Sequence, residues 1–212
     1  VLCIAIDPRH EHKERVEIDR QEGVYQAVKY LAGKYGSDTA YFGIPSEGHN
    51  ETRLEGYQRA MTEFSFKAQI YEFNEDLESS YDREIAFVRE KYPSTEMKFS
   101  DMAHQYAAGL NAAEHVKENC PRAALLFSDM MCMGFLKGLN GSGISIPEDL
   151  AIIGFDDRSF SALSTPALTT ISHPNEEVGV ATAEILLSTI NDEDKGLAAK
   201  KLTPTLVKRL ST

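Results

Sequence analysis

Short apolar runs alternate with helix-like patterns along most of the chain. Between the runs, apolar positions recur every three or four residues, as on the buried face of a helix, and the runs themselves are typical of strands buried on both faces. Strands are predicted at 1–6, 40–44, 69–73, 123–127, 150–155, 168–171 and 202–208, and helices at 21–33, 54–64, 81–88, 106–116, 130–139 and 176–190. The charged stretch 9–15 and the polar stretch 191–199 are predicted to be exposed and irregular.

This alternation predicts an α/β fold. Strands separated by helices pair in parallel through right-handed crossovers, which gives a doubly wound parallel sheet. Ligands on such sheets bind beyond the carboxyl ends of the strands. Polar residues follow the predicted strands at those ends: Asp7, Ser46, Ser128, Asp129, Asp156 and Asp157. Because carboxylates dominate, the sequence favours a polar ligand.

Composition and charge narrow the class of protein. The 212 residues, 42% of them hydrophobic, suffice for one large domain or two small ones. A net charge of -11 repels phosphate, so this stretch is expected to bind nucleic acid poorly by itself. No run approaches the roughly 18 apolar residues of a membrane-spanning helix, and the first residues lack the pattern of a signal peptide. We expect a soluble, cytoplasmic protein that does not contact a membrane.

Neither the cysteines nor the histidines indicate a metal or redox centre. Cys3, Cys120 and Cys132 are far apart without CxxC spacing, so we expect reduced core thiols. His10 and His12 share a charged stretch, where solvated side chains are more common than metal ligands. We therefore expect no metal and no cofactor.

Catalytic motifs are also missing from the sequence. There is no GxSxG elbow, no Walker A loop and no paired Cys and His nucleophile arrangement. The adjacent carboxylates Asp156 and Asp157 lie on a predicted extended segment, where neighbouring side chains point to opposite faces and cannot share one bond. We expect this chain not to be an enzyme.

Several longer motifs occur in a characteristic order. They are IDRQEGVYQAVKYL, RLEGYQRAM, SDMMCMGFLKGLNGSGISIPEDLAIIGFDD, PALTTISHPNEEVGVATAEILL and the terminal LVKRLST. They recur in this order across nearly the whole chain, which resembles the LacI/GalR (lactose-repressor) family of transcription regulators.

The resemblance implies a type I periplasmic-binding-protein-like fold of two lobes, the first of them incomplete. Residues 1–20 and 174–212 would form a partial N-terminal subdomain, and residues 21–173 the C-terminal subdomain with its hinge crossing. Such regulators begin with a helix-turn-helix DNA-binding domain, which we expect to lie outside this chain.

The same resemblance points to two charged ligand-binding residues. Arg53 matches the ligand-gripping arginine of the RLxG stretch, although by spacing alone a salt bridge to Glu51 or Glu55 is the more ordinary role. Asp156 matches the first Asp of GFDD, where it would accept hydrogen bonds from ligand hydroxyls, with capping of the following loop as the alternative.

Four further positions are weaker candidates. Ser128 stands where many members carry Asn, and beside it Asp129 is favoured as an N-cap of the helix at 130–139 over a direct ligand contact. Asp7 matches a cleft-lining acidic position, with a turn beside Pro8 as the alternative. His104 lies where the family often stacks an aromatic residue on the ligand, with Phe99 and Tyr106 close by.

The implied function is effector sensing by a DNA-binding regulator. A sugar or another small polar metabolite would close the cleft and alter operator binding. The expected partners are this effector, operator DNA through the missing domain, and a second copy in a homodimer. A periplasmic sugar-binding receptor of an ABC uptake system shares the fold and is the alternative, but PEDLAIIGFDD and LVKRLST favour the regulator.

Overall fold

The structure is a computed structural model that describes residues 4–6, 14–73, 103–191 and 199–212. Its strands are β1 Ala5–Ile6, β2 Arg15–Ile18, β3 Thr39–Gly43, β4 Gln69–Glu72, β5 Ala123–Leu126, β6 Ala151–Asp156, β7 Thr169–Ser172, β8 Ala199–Leu202 and β9 Thr205–Val207. Its helices are α1 Arg20–Tyr35, α2 Asn50–Glu63, α3 Ala103–Glu118, α4 Asp129–Gly138 and α5 Asn175–Ile190. The predicted helix at 81–88 lies outside the described residues.

A six-stranded sheet in the order β4-β3-β5-β6-β7-β9 carries most of the core. All its pairings are parallel except that of β7 with β9. Successive residues point to opposite faces: Tyr41 packs with α1 and α2, whereas Ala40 and Phe42 pack with α3 and α4. The predicted mixed α/β fold with helices on both faces of a parallel sheet is confirmed.

Local chemistry fixes where the first helix begins and ends. Asp19 precedes α1 and its carboxylate accepts a hydrogen bond from the backbone N–H of Glu22, which satisfies a donor that the helix leaves open. Gly36 follows with φ of 75°, a conformation that glycine adopts without a side-chain clash. The helix Arg20–Tyr35 is therefore longer than the predicted 21–33, by one residue at its start and two at its end.

A second, three-stranded parallel sheet has the order β1-β2-β8 and is covered by α5. The chain passes from this sheet to the six-stranded one between β2 and α1 and again between β8 and β9, and it returns between β7 and α5. Asp19 lies in the passage between β2 and α1, and Leu202 lies at the start of the passage between β8 and β9. The backbone N–H of Asp19 donates to the carbonyl of Leu202. The passages at Asp19 and Leu202 are therefore adjacent and joined.

Two short strands were not predicted. β2 has the sequence RVEI and β8 the sequence AKKL, and both fall in or at the edge of stretches predicted as exposed and irregular. Their charged residues hide the apolar alternation, because in β2 only Val16 is buried and in β8 no residue is. Pairing with each other, rather than burial, places these residues in a sheet.

The chain's tail departs from its expected place with the first subdomain. β9 pairs with β7, and beyond it Ser211 is fully buried, donating through its hydroxyl to the carbonyl of Ile152 at 2.7 Å and accepting from the N–H of Thr169 at 2.8 Å. Residues 205–212 therefore belong to the six-stranded sheet. The remainder of 174–212 that the structure describes, α5 and β8, does lie with the three-stranded sheet.

The cysteines divide between core and surface. Cys132 is buried in the core between α4 and the sheet, as expected, and its burial raises the pKa of the thiol. Cys120 is exposed in the connection between α3 and β5, so the expectation of a core thiol is wrong there. Cys3 lies outside the described residues.

Candidate ligand-binding site

Arg53 is held rigidly beneath the carboxyl ends of the central strands. It projects from α2 and is only 5% exposed. Its guanidinium carbon lies 4.1 Å from the ring centres of both Phe127 and Phe155, and Nη1 donates to the carbonyl of Phe127. Two aromatic faces and one backbone acceptor leave the guanidinium a single orientation.

Asp156 faces this guanidinium across a short gap. Arg53 Nη2 lies 3.7 Å from Asp156 Oδ1, which is an ion pair without a hydrogen bond. Arg53 Nε has no hydrogen-bond partner among the described residues. Burial lowers the pKa of Arg53, and the opposite charge of Asp156 counteracts part of this effect. The ion pair that the structure gives Arg53 is therefore with Asp156, and not with Glu51 or Glu55 as the spacing alone favoured.

The backbone turns sharply where β6 ends. Asp156 has φ of 113° and Asp157 has φ of 51°, values that residues other than glycine rarely adopt. Asp156 Oδ1 lies 3.1 Å from His173 Nε2, and Asp156 Oδ2 lies 3.9 Å from Arg158 Nε. An unfavourable backbone conformation thus places one carboxylate among three cationic or proton-donating side chains, an arrangement that is concentrated at functional sites.

Ser128 has the N-cap role that the sequence analysis predicted for Asp129. Its hydroxyl oxygen accepts from the N–H of Met131 at 3.2 Å, so Ser128 is the N-cap of α4. The same hydroxyl donates to Gln105 Oε1 at 2.6 Å, and Gln105 Nε2 donates to Glu47 Oε1 at 2.7 Å. A polar chain therefore runs along the carboxyl edge from α4 to the connection after β3.

Asp129 is not the N-cap, and the prediction of that role is wrong. As the first residue of α4 it is fully buried, and its carboxylate accepts from the hydroxyls of Ser161 at 2.6 Å and Thr170 at 2.5 Å and from the N–H of Arg158 at 2.9 Å. Burial raises its pKa to about 6 against the effect of these donors. It ties the loop after β6 to β7 and to α4.

The two remaining candidates are Asp7 and His104. Asp7 lies outside the described residues, as do His10 and His12. His104 is in the first turn of α3, partly buried, next to Gln105. The geometry thus unites Arg53 with Asp156 and places Ser128 on the polar chain beside them.

Sequence reasoning missed His173, Gln105 and Glu47. His173 follows β7 directly, so the rule that ligands bind at the carboxyl ends of strands applies to it as well. Glu47 follows β3 by the same rule. Gln105 lies inside a helix, and no sequence signal distinguishes it from a surface residue. The described residues contain no group of three or more His, Cys, Asp or Glu side chains arranged to hold a metal ion.

The fold and this site together define a class of protein. The profile of the periplasmic binding protein-like domain family matches residues 28–212, and the chain belongs to that family. Among the described residues, none of the helices combines the length and the apolar character needed to cross a membrane.

Within this class, the chain is homologous to transcriptional repressors named PurR. It is 28% identical over 207 residues to the HTH-type transcriptional repressor PurR of Vibrio cholerae, covering 95% of this chain and 53% of that protein. It is 37% identical over 91 residues to PurR of Aliivibrio fischeri, covering 43% of this chain and 27% of that protein. The chain therefore spans about half the length of the first of these relatives.

Solved structures support the fold. A LacI family transcriptional regulator from Enterococcus faecium with bound ribose has a TM-score of 0.74 at 23% identity, over 99% of this chain and 69% of that one. The Escherichia coli transcriptional repressor ascG has a TM-score of 0.76 at 20% identity, over 99% and 68%. The expected periplasmic-binding-protein-like fold and the resemblance to LacI-family effector-binding domains are confirmed.

Proposed function

We propose that this chain senses a small polar metabolite for a DNA-binding transcription regulator. The observation that carries the proposal is the buried Arg53 facing Asp156 at the carboxyl ends of parallel strands. The relatives that match most of the chain are named as transcriptional repressors. DNA binding would be supplied by a helix-turn-helix domain outside these residues, and a homodimer would present two such domains.

The chemistry of the site favours a ligand with both donors and acceptors. Arg53 offers N–H donors in a fixed plane, and Asp156 accepts. The rings of Phe127 and Phe155 occupy the faces of the guanidinium, so the ligand must approach Arg53 edge-on. A sugar hydroxyl pair or the amide edge of a nucleobase fits this requirement because each places a donor beside an acceptor.

Switching requires that the ligand distinguish two arrangements of the molecule. A near-complete reversal of a two-state equilibrium requires a preference of about 5.5 kcal/mol for one state. His173 contacts Asp156 and immediately precedes Pro174 in the passage from β7 to α5, so the site already touches a connection between the sheets. A ligand that moves Asp156 would thereby favour one arrangement of the sheets.

A thermal-shift screen of pentoses, hexoses and purine bases on the full-length regulator tests the proposal, since a specific ligand raises the apparent Tm. For the compound that binds, Arg53→Ala and Asp156→Ala should each weaken binding by about 2 to 5 kcal/mol, because each leaves a buried charge without its partner. Arg59→Ala is the matched control, since Arg59 lies on the exposed side of the same helix and pairs with Glu22. Wild-type affinity in both site variants contradicts the proposal.

A further inference from the structure

The pair Asp156 and Asp157 ends β6 with both residues at positive φ. Such a conformation persists only where surrounding contacts hold it. The carboxylate of Asp156 contacts His173, whose Nε2 lies 3.1 Å from Asp156 Oδ1. The contacts of Asp157 are made by other residues, Thr170 of β7 and Arg209 of the tail.

Arg209 supplies the main contact to Asp157. Its Nη2 lies 2.6 Å from Asp157 Oδ1, and both side chains are only about one-fifth exposed, at 20% and 23%. Its Nη1 donates to the carbonyl of Leu168 at 2.8 Å, and its backbone N–H donates to Thr169 Oγ1 at 2.8 Å. Since backbone and guanidinium are both fixed on the β7 segment, Arg209 is a rigid support and not a mobile surface charge.

The support reaches the backbone of the turn as well as a side chain. The N–H of Asp157 donates to Thr170 Oγ1 at 3.4 Å, a long contact that a small rotation of the turn would break. The next N–H, that of Arg158, donates to the buried Asp129 at 2.9 Å. Releasing Asp157 would therefore free the turn on one side only, and Asp156 would move with it.

We propose that Arg209 is a positioning residue for the candidate ligand-binding site: by holding Asp157 it keeps the left-handed turn in place and presents the Asp156 carboxylate to Arg53 and His173. This inference rests on the proposed function for its biological meaning. Of the contacts described for Arg209, the one that reaches the turn is with Asp157, so Arg209 acts on the site through Asp157. A residue of the tail, Arg209, thereby helps to position the side chains of the site.

The test uses the unliganded chain, so it is independent of whether the proposed function is correct. The ring ¹⁵N resonances of His173 report its contact with Asp156. Those of His115, whose ring lies tilted against Tyr71 with the ring centres 4.5 Å apart, serve as a remote reference. Arg209→Ala should shift the His173 signals, leave those of His115 in place and accelerate exchange of the Asp157 amide by about tenfold. Arg209→Lys, which keeps the charge but loses the planar fork that joins Leu168 to Asp157, should restore only part of the wild-type pattern.

Lys208→Ala is the matched control, because Lys208 is the neighbouring cation of the tail and lies over the ring of Tyr30, away from the turn. It should change neither signal. Asp157→Asn weakens the same pair from its other end and should reproduce the effect of Arg209→Ala, which keeps the test decisive if Arg209→Ala does not fold. Unchanged His173 resonances and Asp157 exchange in Asp157→Asn, or equal changes at His115, would overturn the proposal.

Discussion

The side chains at the carboxyl ends of the strands have two kinds of role. Some offer a charge to a ligand, and others hold the surrounding loops and helices in place. Arg53 and Asp156 face each other with unused hydrogen-bonding capacity. Asp129 is fully buried, and its carboxylate accepts hydrogen bonds from Ser161, Thr170 and the N–H of Arg158. A buried carboxylate that accepts three hydrogen bonds and still has a raised pKa is dominated by desolvation.

The raised pKa of Asp129 predicts how stability depends on pH. Its pKa of about 6 exceeds the ordinary value of 3.8, so the folded state binds a proton that the unfolded state releases between these values. The contribution is therefore present in full below the unfolded pKa and is lost as pH rises through the folded one. Relative to Asp129→Asn, the wild type should gain about 2 kcal/mol of unfolding free energy between about pH 7.5 and pH 4.5.

Urea unfolding of both proteins across this range measures the difference. The comparison with the amide variant matters because other carboxylates titrate in the same window, and their effects cancel in the difference. If the unfolding free energy of the wild type minus that of Asp129→Asn stays constant or decreases as pH falls, Asp129 is not desolvated in the way its surroundings imply.

At the scale of elements, two helices approach each other through glycine. A Cβ atom on Gly109 of α3 would lie 2.0 Å from the carbonyl oxygen of Met131, and one on Gly134 of α4 would lie 1.9 Å from that of Tyr106. These distances are far inside van der Waals contact, so the helices can pack this closely only without side chains there. The close approach keeps Gln105 of α3 within reach of Ser128 at the start of α4.

Gly134→Ala should therefore destabilise the protein by at least about 1 to 3 kcal/mol, because the helix pair must separate. Gly33→Ala is the matched control: Gly33 is also helical, and a Cβ there meets nothing within 4 Å. Alanine at that exposed position should stabilise the protein by up to about 1 kcal/mol. Denaturant unfolding of both variants separates the cases, and equal effects would contradict the described packing.

At the scale of the whole molecule, the sequence predicts the six-stranded sheet better than the three-stranded one. Strands such as Ala123–Leu126 are fully buried, and continuous apolar runs reveal them. β2 and β8 carry charge on their exposed faces, and only their partner strands define them. The same limit applies to the site. Arg53 and Asp156 stand in recognisable motifs, so the sequence predicts them. The contact between Asp156 and His173 depends on the sharp turn at the end of β6, which no local sequence pattern predicts.

The two sheets should also differ in stability within this chain. Among the described residues, the cluster under the three-stranded sheet has only three buried members, Val16, Ala181 and Ile185, whereas each face of the six-stranded sheet has a large buried cluster. Since local opening free energy follows buried apolar packing, amides of β2 and β8 should exchange at least about 100-fold faster than those of β3 and β5. Hydrogen exchange measured by mass spectrometry on the 212-residue chain tests this. Equal protection of all four strands would contradict this prediction and would mean that the two sheets unfold as one unit.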